Sequence, residues 1–212
     1  MPRQLSALLL VIALAHTLRA DKPSEEGFVS LFDGKELKGW TGDLKGHPIE
    51  NGVIVCRGKN LYTEKEYANF VFRFEFTVPP GGNNGVGLRA PLQGDPAYVG
   101  MESQILDDNA AQYKNLKPYQ YHGSIYGVAP AKRGHLKPTG EWNEQEITCN
   151  GSQVSVKLNG VLIVDVDIAK YRDGGTPDGQ PHPGLKRTSG HIVLLGHGSP
   201  VQFRNLRIKE LP

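Results

Sequence analysis

Along residues 69–78 the side chains alternate: Phe70, Phe72, Phe74, Phe76 and Val78 share one parity, with Arg73, Glu75 and Thr77 between them. Period-two alternation over this length predicts a strand with one buried face. The run stops at Pro79-Pro80-Gly81-Gly82-Asn83-Asn84-Gly85, which supplies turn residues tolerant of positive φ. Two further strands follow, Val86-Gly87-Leu88-Arg89 and Val99 to Leu106. In the second of these Met101, Ser103 and Ile105 face one way and Glu102 and Gln104 the other. If the apolar faces stack on a second sheet, Arg73, Glu75, Arg89, Glu102 and Gln104 are expected to form a polar floor on the opposite face.

The same reading extends along the chain. Order is expected to begin at the short strand Phe28 to Phe32, and Asn51-Gly52 sits between two extended pieces as a hairpin turn. Beyond Gly140, alternating runs are separated by Asn150-Gly151 and Asn159-Gly160, the pattern of an antiparallel meander. In the last run Phe203, Leu206 and Ile208 do not keep one parity, and a bulge near Asn205 would restore it. About ten to twelve short strands and no helix of convincing length predict an all-β sandwich or jelly roll. Two irregular stretches interrupt the pattern. Residues 109–136 carry four tyrosines and are expected to wall a site, with Tyr121 to Tyr126 nearest the chemistry, and residues 171–189 are rich in Gly, Pro and charge.

A length of 212 residues fits one domain, expected over 28–212. Residues 1–20 read as a secretory signal: Arg3 precedes an apolar run from Leu5 to Leu14, shorter than the roughly 20 residues a spanning helix needs, and alanines follow. Removing that segment takes away Arg3 and Arg19 and no acidic residue, so the formal net charge falls from +2 to zero. A neutral chain gives no reason to expect nucleic acid or an anionic membrane as partner. An exported chain could join Cys56 to Cys149, but both lie in strand-like runs where a buried thiol is the plainer reading.

Six segments in order carry a family likeness: Phe28 to Lys35 with Gly39-Trp40, Pro79 to Arg89, Glu102 to Asp107, Gly140 to Asn143, Leu158 to Gly160 and Val201 to Ile208. Together they resemble the 3-keto-disaccharide hydrolase family, also described as 3-keto-glucoside 1,2-lyase and hydratase. The resemblance implies a concanavalin-like jelly roll of two antiparallel sheets, export, and a sugar oxidised at C3 as substrate. The chain departs from the commoner pattern at Leu194-Leu195-Gly196-His197-Gly198 and in its two insertions.

A C3 ketone acidifies the C2 proton, so a glycosidic bond can break by proton removal and expulsion of the C1 oxygen. That route needs a base near C2, a donor for the enolate oxygen and an acid for the leaving oxygen. Glu102 and His197 are the candidate bases, and Arg89 the candidate for the ketone or enolate oxygen. Asn84, Gln104, His122, Tyr126 and Lys186 are the candidate hydroxyl-binding residues. A retaining glycosidase would need two carboxyl groups about 5 to 5.5 Å apart, and the same-face neighbour of Glu102 is Gln104. Asp107-Asp108-Asn109 could offer oxygens to a divalent cation, but such a cluster is more often a turn, and no metal ligand is assigned. A carbohydrate-binding module without turnover is the rival reading of the same polar face.

Overall fold

The computed structural model of the chain describes residues 26–212. The expected signal at 1–20 lies outside the described residues. The strands are β1 (Val29–Ser30), β2 (Trp40–Gly42), β3 (Ile49–Glu50), β4 (Val53–Val55), β5 (Leu61–Thr63), β6 (Phe70–Thr77), β7 (Asn83–Ala90), β8 (Met101–Leu106), β9 (Asn143–Asn150), β10 (Gln153–Leu158), β11 (Val161–Asp167), β12 (His191–Leu194) and β13 (Gln202–Glu210). One short helix, α1 (Pro96–Val99), precedes β8. The larger sheet runs β11-β10-β9-β6-β13-β4-β3, with β1 on β13, and the smaller runs β2-β5-β12-β7-β8. Every pairing between these strands is antiparallel, giving a jelly-roll sandwich.

The phenylalanine row of β6 fills the space between the sheets. Phe70, Phe72, Phe74 and Phe76 are fully buried, and Phe74 packs 5.0 Å from Phe72 and 5.7 Å from Phe203 between ring centroids. Val86, Leu88, Met101 and Ile105 close on them from the smaller sheet. Each buried phenylalanine contributes roughly 1.5–3 kcal/mol over leaving it exposed. Trp40 is buried too, its indole N–H donating to the Leu31 carbonyl over 2.7 Å, which makes it a packing residue. Cys56 and Cys149 are free and buried, and burial pushes the Cys149 thiol up to about 12.

The turns form as the sequence predicts. Asn51 and Gly52 both take positive φ between β3 and β4, as Asn159 and Gly160 do between β10 and β11. Asn205 is left-handed at φ 53, and the β13 register slips between Arg204 and Arg207. That bulge puts Phe203, Leu206 and Ile208 on the buried side together.

The single polar floor does not form, because β6 and β8 belong to different sheets whose outer faces point in opposite directions. On the larger sheet Arg73 pairs with Glu146 over 2.6 Å and Glu75 with Arg204 over 2.7 Å. Glu102 and Gln104 stand on the outer face of the smaller sheet. That face is roofed by α1 and by the irregular stretch after β8.

Candidate active site

On the outer face of the smaller sheet lies a cleft of about 210 Å³. Asn83 of β7 and Glu102, Gln104 and Leu106 of β8 form its floor, while Asp95, Ala97 and Tyr98 at α1 form one side. Tyr113, Leu116, Gln120 and Tyr126 close it from the irregular stretch, and His197 stands at its edge. Glycines make the room. Glu102 is opposite Gly87 in the ladder, and a Cβ on Gly85 would overlap Glu102 Oε1.

Backbone ties hold these walls. The chain at 123–126 is stitched to the free edge of β8: Gln104 N–H donates to Ser124 O, Gly123 N–H to Gln104 O and Tyr126 N–H to Glu102 O, over 2.8–3.0 Å. Tyr126 thus arrives beside Glu102, its hydroxyl accepting from Gln120 over 3.0 Å. The His197 loop is fastened at several points. Leu195 N–H donates to Gly85 O, Gly196 N–H to Asn60 Oδ1 and Asn83 N–H to Ser199 Oγ, each over 3.0 Å. Gly196 gives no spare space around His197, since a Cβ there would strike the Lys59 backbone; it permits a close approach. Asp95 Oδ1 caps α1 by accepting the Ala97 N–H.

His197 Nε2 lies 3.9 Å from Glu102 Oε1, with side-chain exposures of 41% and 6%. Burial pushes the Glu102 carboxyl up to about 8, and the Asp95 carboxylate adds to the rise. Burial also lowers the His197 imidazole, partly offset by Asp95. Near neutrality both partners are therefore uncharged, one holding a proton and the other a lone pair. An acid and a base set apart by their surroundings in this way suit proton transfer.

Of the sequence candidates, Glu102, His197, Gln104 and Tyr126 meet at this cleft, and four do not. Arg89 takes φ 50 where the β12 register slips between His191 and Val193, and its side chain leaves the cleft. Its buried guanidinium donates to Ala68 O and Gly151 O, each over 2.8 Å, and to Asn69 Oδ1 over 3.4 Å. Asn84 shares the parity of Val86 and Leu88 and is wholly buried between the sheets, so its neighbour Asn83 reaches the cleft instead. His122 also turns inward, stacked 5.2 Å from Phe76, with Nδ1 accepting the Leu106 N–H. Burial drives its imidazole down to about 3, which keeps it neutral. Lys186 is on an exposed turn, 3.1 Å from Asp173.

Tyr113 and Gln120 belong to the 109–136 stretch expected to wall the site, whereas sequence reading missed Asn83, Asp95 and Tyr98. Two of these had a signal. Asn83, Gly85 and Gly87 share the parity opposite to the apolar residues of β7, and Asp95-Pro96 has the form of a helix cap followed by proline at the first position. In the acidic turn Asp107 accepts the Gly81 N–H and Asp108 the His122 N–H, each over 2.8 Å. Among the described residues no group of three or more His, Cys, Asp or Glu side chains is placed to hold a metal ion.

Two antiparallel sheets with a polar cleft on one outer face define an all-β jelly-roll sandwich. The carbohydrate binding module CBM66 from Bacillus subtilis shares that fold, with a TM-score of 0.50, 12% identity, and 87% of this chain and 96% of that one covered. The chain belongs to the family of the 3-keto-alpha-glucoside-1,2-lyase-like domain, which matches residues 27–209. It is 27% identical over 229 residues to a 3-keto-disaccharide hydrolase of Bacteroides thetaiotaomicron, covering 88% of this chain and 79% of that protein. A crystal structure described as a candidate glycosyl hydrolase from Parabacteroides distasonis superposes with a TM-score of 0.78 at 32% identity, over 87% of this chain and 99% of that one. A second from the same organism gives 0.75 at 29% identity, over 88% and 95%.

Proposed function

We propose that the chain is an exported enzyme that cleaves 3-keto-glycosides by removing the C2 proton, eliminating the C1 oxygen and adding water to the product. The observation that carries this reading is the Glu102–His197 pair, 3.9 Å apart at one sugar-sized cleft. The named hydrolase relative and the family supply the substrate class.

In this scheme neutral His197 takes the C2 proton, and the C2–H electrons form the enolate. As the C3 ketone re-forms, a C1–C2 double bond appears and the C1–O bond breaks. Glu102 gives its proton to the departing oxygen, leaving a carboxylate beside a protonated imidazole. Water then adds at C1 and gives a proton to Glu102, while His197 returns one to C2. Atoms and charges balance as net hydrolysis, and both side chains regain their resting forms. The amide of Gln104 has its oxygen on the Ile105 N–H over 3.0 Å, so its NH2 end is the part offered to a hydroxyl.

A chromogenic p-nitrophenyl 3-keto-glucoside tests the scheme. Release of nitrophenol is expected from the wild type and not from the unoxidised glucoside, which has no acidic C2 proton. Glu102→Gln and His197→Ala should each reduce turnover about 10²-fold or more, the usual size of a lost general acid or base. Normal turnover in either variant removes that residue from the scheme. Sugar binding by a wild type that releases nothing would favour the non-catalytic module.

A further inference from the structure

The irregular stretch at 171–189 contributes a buried pair that the proton transfers above do not use. His182 Nε2 lies 2.9 Å from Asp178 Oδ2, with side-chain exposures of 1% and 8%. An ionised carboxylate only accepts, so Nε2 carries the proton and the ring orientation is fixed. The face of His182 meets Tyr98, ring centroids 4.9 Å apart and planes tilted by 40°. Tyr98 in turn lines the cleft together with Glu102.

The pair is wedged against the other aromatic wall as well. Gly127 follows Tyr126 and sits at φ 75, and a Cβ there would run into both Asp178 and His182. The Asp178 N–H donates to Gly127 O over 3.2 Å. One buried unit therefore braces two tyrosines, Tyr98 by its ring and Tyr126 through the adjoining backbone. The Tyr98 phenol is pushed upward by burial first, then by Tyr126, Asp178, Asp95 and Glu102, so it keeps its proton and can donate. An aromatic ring with a polar tip offers one apolar surface and one hydrogen bond. A pyranose asks for both, through its axial C–H face and its hydroxyls.

We propose that Tyr98 is a substrate-contacting residue that seats the sugar ring over Glu102, and that the buried Asp178–His182 pair is its positioning device. The substrate class rests on the keto-glycoside reading of the cleft. A residue that seats the ring acts on ground state and transition state alike, so its loss raises KM more than it lowers kcat.

The test is a double-mutant cycle of Tyr98→Ala and His182→Ala. It is read by turnover of p-nitrophenyl 3-keto-glucoside and by calorimetric affinity for methyl α-glucoside, which cannot react. Each single variant is expected to raise KM and weaken methyl α-glucoside binding at least fivefold, and the double variant to be no worse than Tyr98→Ala. A His182→Ala effect of the same size in both backgrounds would mean the loop is merely structural and would overturn the proposal. So would a Tyr98→Ala variant within twofold of wild type in both readouts. Should His182→Ala fail to fold, Asp178→Asn closes the same cycle with less loss of packing. Wild type that binds methyl α-glucoside through Tyr98 without turnover sinks the enzymatic reading and leaves this one standing; wild type that does neither sinks both.

Discussion

Glu102→Gln isolates the energetic cost of ionising a dry carboxyl. The native state holds a proton on Glu102 up to about pH 8, whereas an unfolded glutamate releases it near 4.5. A raised carboxyl favours the fold fully below 4.5, and that advantage is lost as pH climbs toward 8. From pH 6 the slope is about 1.4 kcal/mol per unit and it halves by pH 8, where Glu102 is half ionised, so the loss over the window is about 2 kcal/mol. For a domain of this size that is roughly 4–8 °C in Tm. Glutamine does not titrate, so the Tm of Glu102→Gln should fall by that much less over the window. His197 is shifted the other way: unfolded, it titrates near 6.5, inside the window, so its lowered folded value adds stability as pH rises, but it does so in wild type and variant alike and cancels in their difference. The raised thiols weaken the fold only above the ordinary thiol value of 9.0. Thermal unfolding followed by circular dichroism at pH 6, 7 and 8 supplies the measurement. Wild-type and variant curves that run parallel within about 1 °C would show that Glu102 ionises freely in the fold, which would refute the acid assignment.

Turnover should hold a plateau that ends on the alkaline side near pH 8, where Glu102 loses its proton, and on the acid side below the usual histidine range; a pH profile of kcat/KM checks both limbs. Gly85→Ala drives a methyl group into the buried Glu102 side chain and should lower kcat tenfold or more, with an overpacking cost of about 1–3 kcal/mol in denaturant unfolding. Arg89→Leu strands the carbonyls of Ala68 and Gly151 at about 1–3 kcal/mol each. Denaturant unfolding should show that loss, while kcat per folded molecule stays at the wild-type level.

The parts of the fold that were legible in sequence are those set by local chemistry. Alternation in β6, the Asn-Gly turns and the parity break at Asn205 each depend on a few adjacent residues, and all three appear in the structure. The placement of Glu102 and Gln104 on the face opposite Met101, Ser103 and Ile105 was legible for the same reason. Sheet membership was not, because the partners of β6 and β8 are chosen by long-range packing. Arg73 and Glu75 were therefore assigned to a floor they do not share. Arg89 escaped because one left-handed residue reverses the alternation that parity arguments assume. His122 follows a different rule: its ring finds an aromatic partner and a backbone donor inside and stays neutral there. Tyr98 had no local signal at all, since its neighbour His182 is brought to it only by the folded insertion.

The sandwich leaves its two outer surfaces with unlike fates. On the larger sheet, half-buried cations and carboxylates interlock as a lattice, with the Arg204 guanidinium carbon over the Trp142 ring, 3.7 Å from its centroid. The phenylalanine layer insulates that lattice from the cleft behind it. A surface tether or fusion partner attached on that side would meet none of the walls around Glu102, so the molecule can be anchored by its back with its mouth left open.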